Sequence, residues 1–356
     1  MKGLIRFRGT ITTQGPVAVS YPGAEESIPS TPDGRPMLFG NTLRGPLRHL
    51  GYKAIRDHLA KAKGIDPKEV FDLADAYMLG IGFDMKNITG NDEGTGIKPL
   101  AEVALRQSNP FLGLFGRWRF RGFAEVSPLI GEPGTQVITY GAGARRDPFE
   151  ADGTEALFLS DDDMELLTEI KEGDSSINEN IKALQHSQKE AKRTIVGLDD
   201  KAEKKKLSDK ISDLEAQIKA LKETKAGGKE SVKHPFDGFP ALAPYSRLDS
   251  RITVASGSEV ELGLLLLILR ELARSPFIGG HRATGCGEIL FEYQVSLWEA
   301  DHDAPRVLGK VSGGLDNGFV IEGEELQDAL ESFKDNIQSF DFKMASLKDA
   351  GQKQGA

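Results

Sequence analysis

Apolar and polar residues alternate along Leu4–Thr13, a pattern that predicts a strand. Asn41–Ala60 reads as a helix, with Asn41 or Thr42 placed to cap its first turn. Trp118–Val126 alternates again, Arg251–Ala255 reads as a further strand, and the apolar stretch Glu259–Arg274 as a second helix. Glu288–Trp298 closes the series as a strand. The order β-α-β-β-α-β is that of a ferredoxin-like sheet, the architecture of RNA-recognition modules, so the expected fold class is α+β.

Residues 161–233 depart from this pattern. They hold no Pro, Phe, Tyr or Trp and are dense in Lys, Glu, Asp and Gln. Ile177, Ile181, Leu184, Gln188, Ala191 and Ile195 recur in alternating steps of four and three, one stripe of a helix. Gly197 and Asp199–Asp200 interrupt the stripe, and Leu207, Ile211, Leu214, Ile218 and Leu221 resume it. Two such helices around a short break predict an inserted antiparallel helical hairpin, closed by Gly227–Gly228. Outside its narrow seam the segment is solvated charge, fifteen basic against seventeen acidic residues, and it reads as a projecting spacer or docking arm. The chain thus divides into a first palm part (1–160), the hairpin (161–233), a second palm part (234–300) and an acidic extension (301–356).

Composition adds one objection and its answer. A net charge of −9 over 356 residues argues against nucleic acid, because phosphate binding needs cationic surface. The charge is unevenly spread. Residues 1–58 hold eight Arg and Lys against four acids, residues 106–146 hold six Arg against two, and residues 299–356 carry twelve acids against six bases. A basic body with an acidic tail is compatible with RNA binding at a defined site. The N-terminal stretch has no apolar signal-like run, and the longest apolar run, Leu262–Leu269, is too short to span a bilayer. A cytoplasmic location without a membrane partner is therefore expected. The single cysteine, Cys286, excludes an internal disulfide and a cysteine-based zinc site.

Two segments could meet an anion. In Gly40-Asn41-Thr42-Leu43-Arg44-Gly45-Pro46-Leu47-Arg48 a glycine-containing turn opens a helix, so backbone N–H groups and the helix dipole favour negative charge. Arg44 and Arg48, four residues apart, share a face suited to phosphate oxygens. In Phe277–Glu288 four glycines stand within nine residues, and His281 and Arg282 supply donors beside Gly279 and Gly280. The loop lacks a GK[ST]-type ending and follows a helix, so it is neither an NTPase loop nor a dinucleotide site. Two further segments accompany these: Asn109–Gly116, before Arg117, Arg119 and Arg121, and Gly143–Phe149, with Arg145 and Arg146.

With these four segments in this order, the chain resembles the RAMP-superfamily backbone subunits of CRISPR effector complexes, which polymerise along a guide RNA. The stretches GNTLRGPLR, LFG, RRD and GGHRATGCG carry the resemblance, which spans residues 4–298, and the long helical insertion is most similar to the type IV version. The resemblance implies that Asn41, Thr42, Arg44 and Arg48 contact guide phosphates, that Gly279, Gly280, His281 and Arg282 lie under the RNA, and that Arg145 and Arg146 begin a thumb elaborated by the hairpin. It also implies a head-to-tail filament of copies, other effector subunits, a complementary target that type IV likeness points to as DNA, and an accessory helicase.

Catalysis is not expected, nor a cofactor. Type III relatives cleave RNA with an aspartate between the first strand and helix, where this chain offers only Glu25, Glu26 and Asp33. Asp33 sits in Thr-Pro-Asp-Gly-Arg-Pro, a turn signal. The six histidines lack metal-ligand spacing, and no serine sits in a nucleophile elbow. The competing readings are an RNase-competent type III-like subunit using one of those acids, and a coiled-coil adaptor unrelated to RNA.

Overall fold

The computed structural model describes residues 2–21, 28–83, 99–117, 120–141, 143–144, 159–196, 201–223, 235–236 and 238–343. The chain divides into two compact units, Met1–Tyr140 with Phe239–Ala356, and Gly141–Gly238. The first unit lays down β1 (Lys2–Thr13), the helices α1 (Asn41–Lys63), α2 (Leu73–Ile81) and α3 (Pro110–Phe115), and the short strands β2 (Ala124–Val126) and β3 (Leu129–Gly131). It continues after the second unit with β4 (Arg247–Ser258), α4 (Glu259–Arg274), β5 (Ile289–Glu299), β6 (Arg306–Gly314), β7 (Gly318–Glu322) and α5 (Glu324–Asp335).

The main sheet is antiparallel and runs β7-β6-β5-β1-β4, with β2 and β3 both along the far edge of β4 and Met37–Leu38 beyond β3. Alternation decides its two faces. Ile5, Phe7 and Ile11 of β1, Leu248, Ile252 and Val254 of β4, and Phe291, Val295 and Leu297 of β5 are buried and join α1, α4 and α5 in one core. The opposite face carries the intervening polar residues of the same strands. Inside the core, the Ser250 and Tyr293 hydroxyls satisfy each other at 2.8 Å.

Helix α4 is buried along the whole of Leu262–Leu269, because it lies among the sheet, α1 and α5. Each fully buried leucine contributes roughly 2 kcal/mol by removal from water. Two glycines let the helices approach: a Cβ on Gly51 would sit 2.6 Å from Phe111 and 2.9 Å from Ile268, and one on Gly263 would strike the Ala329 carbonyl. Ser258 caps α4, with Glu261 returning the hydrogen bond to the Ser258 N–H at 2.9 Å.

The α+β class stands, with several differences in detail. β1, β4 and the first helix are longer than expected. The cap of α1 is Gly40, which has no side chain to bond the first turn; Asn41 and Thr42 lie within that turn, and the Thr42 hydroxyl is paired with the Tyr21 hydroxyl at 2.8 Å. The expected strand Trp118–Val126 is not one element. Gly116–Arg117 folds back on Phe120–Arg121, the Gly122 backbone presses on Leu114–Gly116 where no Cβ fits, and Ala124–Val126 reaches the sheet. Residues 306–335 are not a separate extension: β6 and β7 widen the main sheet, and Leu326, Ala329, Leu330 and Phe333 of α5 are core residues.

The second unit contains a short ladder, Pro235–Phe236 against Gly143–Ala144, and two long helices, Asp161–Val196 and Lys201–Glu223, packed on each other. Ile181, Ala191, Leu214 and Ile218 of the expected stripe are buried. Gln188 and Lys192 of the first helix reach Glu215 of the second at 2.7 and 3.1 Å. The first helix begins sixteen residues before the stripe: the Ser160 hydroxyl accepts from the Asp163 N–H at 3.2 Å, and Asp161–Asp163 suit the positive end of the dipole. Gly197, Asp199, Asp200, Gly227 and Gly228 lie outside the described residues. Replacing residues 161–223 by a short glycine linker is expected to leave the first unit's cooperative thermal transition intact; its disappearance on melting would make the hairpin part of that core.

Candidate nucleic-acid interface

The glycine loop joins α4 to β5. Its ends are tied by the Ile278 N–H donating to the Gly287 carbonyl at 2.9 Å. Gly280 and Gly287 donate to the carbonyls of Ala18 and Pro16 at 2.9 and 2.8 Å, so the loop backbone lies directly on the segment after β1. That closeness requires glycine. Gly279 and Gly287 have φ of 74° and 95°, and a Cβ on either would strike a carbonyl oxygen. His281 also adopts a left-handed conformation (φ 58°), and one 3-10 turn follows at Arg282–Thr284.

This geometry leaves both His281 and Arg282 exposed. The imidazole stacks on Phe239 with ring centres 3.9 Å apart and planes 17° from parallel. Tyr140 meets the edge of Phe239 at 6.0 Å and donates its hydroxyl proton to the Thr284 carbonyl at 3.4 Å. One arm of the Arg282 guanidinium donates to the Phe277 carbonyl at 3.0 Å. An aromatic platform with a cation beside it suits a stacked base and its phosphate.

Helix α1 extends the positive surface. His49, Lys53 and Arg56 follow at helical steps of four and three. Burial, and after it the positive charges of Lys53, Arg282 and Arg56, hold the His49 imidazole below its ordinary pKa. Arg282 of the loop therefore acts on the same locality as the two α1 cations. Arg56 is paired with Asp57 at 2.7 Å and stands 5.9 Å from the Tyr52 ring centre.

Arg44 and Arg48 require a correction. Arg48 is only 6% exposed. Its Nε and Nη2 donate to the Leu79 and Met78 carbonyls at 2.6 and 2.7 Å, which satisfies the C-terminal turn of α2. Burial and the neighbouring Arg44 charge push its pKa down to about 10. Arg44 is half-buried, donates to the Phe115 carbonyl, and has its pKa lowered by burial. The pair braces α1 against α2 and α3, and Arg48 faces protein carbonyls where a phosphate contact was expected. The first-turn amides are also engaged: Thr42 donates to Phe39, and Leu43 and Arg44 donate to Gly40. Asn41 is exposed beside Phe39, which packs on Tyr21 with ring centres 4.4 Å apart.

The other expected residues are scattered. Arg117 is half-buried, and Arg121 is exposed and paired with Glu125. Arg119, Arg145, Arg146, Glu25 and Glu26 lie outside the described residues. Asp33 is a turn carboxylate, held by the Thr31 hydroxyl and by Arg35 at 2.7 Å; the Thr31 bond leads the causes that lower its pKa. The aromatic platform and the α1 cations escaped sequence reasoning. Phe239 and Tyr140 meet His281 only through tertiary pairing of their strands, whereas the spacing of His49, Lys53 and Arg56 was visible beforehand.

No known family model matches the chain, and no curated protein does.

Proposed function

We propose that the chain is a non-catalytic backbone subunit that grips guide RNA through its phosphates, polymerises along it, and presents it to a complementary target, most like the type IV version of such subunits. The observation that supports this reading is the glycine loop, whose exposed His281 stacks on Phe239 next to the exposed Arg282, with the Arg282 charge felt at His49 of α1 together with Lys53 and Arg56, an arrangement suited to a stacked base and a phosphate. The sheet supports it. Counting β2 and β3 as one edge, β5-β1-β4-β2 has the order 4-1-3-2 of a ferredoxin-like sheet in the succession β-α-β-β-α-β. Other effector subunits, an accessory helicase and a DNA target belong to the proposal through the sequence resemblance alone. Asp33, engaged in its turn, gives no observation favouring the RNase-competent alternative.

Contacts that repeat along a linear polymer must be heterologous and must not close. Co-expression with a guide RNA is expected to yield a large particle of many copies that leaves labelled complementary RNA uncut. Closed dimers of fixed size, with or without RNA, would refute the assembly, and cuts at regular intervals would return the type III-like reading.

The depressed His49 pKa gives a pH dependence of defined sign. Phosphates near His49 favour its charged form, so its pKa is higher in the complex and binding takes up a proton. RNA affinity is expected to rise a few-fold as pH falls through the ordinary histidine range. His49→Gln should flatten that part of the profile, and an unchanged profile in the variant would remove His49 from the interface.

A further inference from the structure

The sheet face opposite the helices carries a second concentration of positive charge. Cross-strand register sets Arg6 of β1 between Thr253 of β4 and Ser296 of β5. One step along, Arg8 stands directly opposite Arg251 on one side and Gln294 on the other, and Gln294 faces Lys310 of β6. Like charges directly opposite one another destabilise an antiparallel pair. Here no acid comes within ion-pair distance of Arg6, Arg8, Arg251 or Lys310 among the described residues. The Arg6 Nε is buried without a hydrogen-bond partner.

This strip has defined borders. Asp249 and Glu292 flank Thr10 on one side, and Glu322 faces Lys310 at the β7 end. On the other side Leu4 pairs with Trp298, which is 41% exposed. Arg8, Thr10, Gln294, Lys310 and Ser312, together with the carboxylates Glu292 and Glu322, line a shallow groove of ≈ 440 Å³ that borders the strip across β5 and β6. Successive same-face positions along a strand are about 6.8 Å apart, which is the step between Arg6 and Arg8 along β1.

We infer that this open face is a binding site for single-stranded nucleic acid, with phosphates over Arg6, Arg8 and Arg251 and a base stacked on Trp298. An unneutralised arginine pair beside hydroxyl and amide donors is complementary to a phosphodiester, and the exposed indole, two same-face steps along β5 from that pair and next beyond Arg6, gives a base a surface to stack on. The site lies on the sheet face turned away from α1, and it stands whether or not the glycine loop binds RNA.

The test uses the full chain with fluorescein-labelled oligothymidylate and oligouridylate. In the Lys53→Ala, Arg56→Ala, Arg282→Ala background, where the glycine-loop face no longer masks the result, Arg8→Gln with Arg251→Gln is expected to weaken binding of both probes about tenfold and to flatten the slope of log affinity against log salt by roughly 1.4, for two phosphate contacts to a single strand. In the Trp118→Phe protein, where Trp298 is the remaining tryptophan, the oligonucleotide should quench the emission; this readout holds even if the arginine variant fails to melt cooperatively. Lys53→Ala with Arg56→Ala and Arg282→Ala serves as the comparison, since it alters the glycine-loop face and leaves the quenching in place. A folded arginine variant that binds as that background does, unquenched Trp298 emission, or polyglutamate binding as tightly as the oligonucleotides would each overturn the assignment, the last in favour of an acidic protein partner.

Discussion

Arg48→Ala is expected to lower the stability of the first unit by about 3 kcal/mol. The Arg48 guanidinium answers the Met78 and Leu79 carbonyls at the end of α2, and hydrogen bonds to a charged donor contribute about 1.5–3 kcal/mol each. Burial of the charge offsets part of that gain, as its lowered pKa records. Alanine would also leave the Leu79 carbonyl without its donor, the Met78 carbonyl with only the Gly82 N–H at 2.9 Å, and a void between α1 and α2. The corresponding fall in melting temperature is roughly 6–12 °C. Arg48→Lys should recover only part of it, because an ammonium cannot span both carbonyls in the same fork. Thermal denaturation checks the claim; a shift within about 0.5 kcal/mol, the scale of an exposed substitution, would contradict it.

That residue shows where sequence reading reached its limit. A spacing of four puts Arg44 and Arg48 on one side of a helix, but spacing alone does not say whether that side meets solvent or protein. The signal was nonetheless there, since Leu47, Gly51 and Ile55 share the stripe with Arg48 and all are buried. Alternation found β1, β4 and β5 because each has one apolar face, and the four-three stripe found the hairpin. It missed β6, where Gly309, Gly313 and Gly314 replace the apolar positions that would mark a strand and leave room for Glu322, Phe291 and Leu290. Acidic composition disguised α5, whose Leu326, Ala329, Leu330 and Phe333 form its buried side. The glycine loop was legible as a loop of close approach. Its aromatic support was not, because Phe239 lies 42 positions from His281 and Tyr140 lies 141 positions away.

Removing the loop-side cations together is the second large effect. Lys53→Ala with Arg56→Ala and Arg282→Ala deletes three charges from the proposed phosphate surface. The salt slope of single-stranded RNA binding should flatten by about 2, and affinity at physiological salt should fall roughly 50-fold. The loss should be equal for RNAs of unrelated sequence, because phosphate contacts position a chain without reading its bases. Lys53 and Arg282 are exposed and Arg56 half-buried, so stability should change by no more than about 0.5 kcal/mol per site. Unchanged affinity and slope in a folded variant would remove α1 and Arg282 from the interface.

The most direct test of RNA binding at the glycine loop is ultraviolet crosslinking of the purified protein to bound single-stranded RNA, with the crosslinked peptides identified by mass spectrometry. The stack of His281 on Phe239, with Tyr140 at its edge, predicts nucleotide adducts on the peptides that contain those three residues. Adducts confined to the hairpin helices, or absent from all three of those peptides while RNA remains bound, would contradict it.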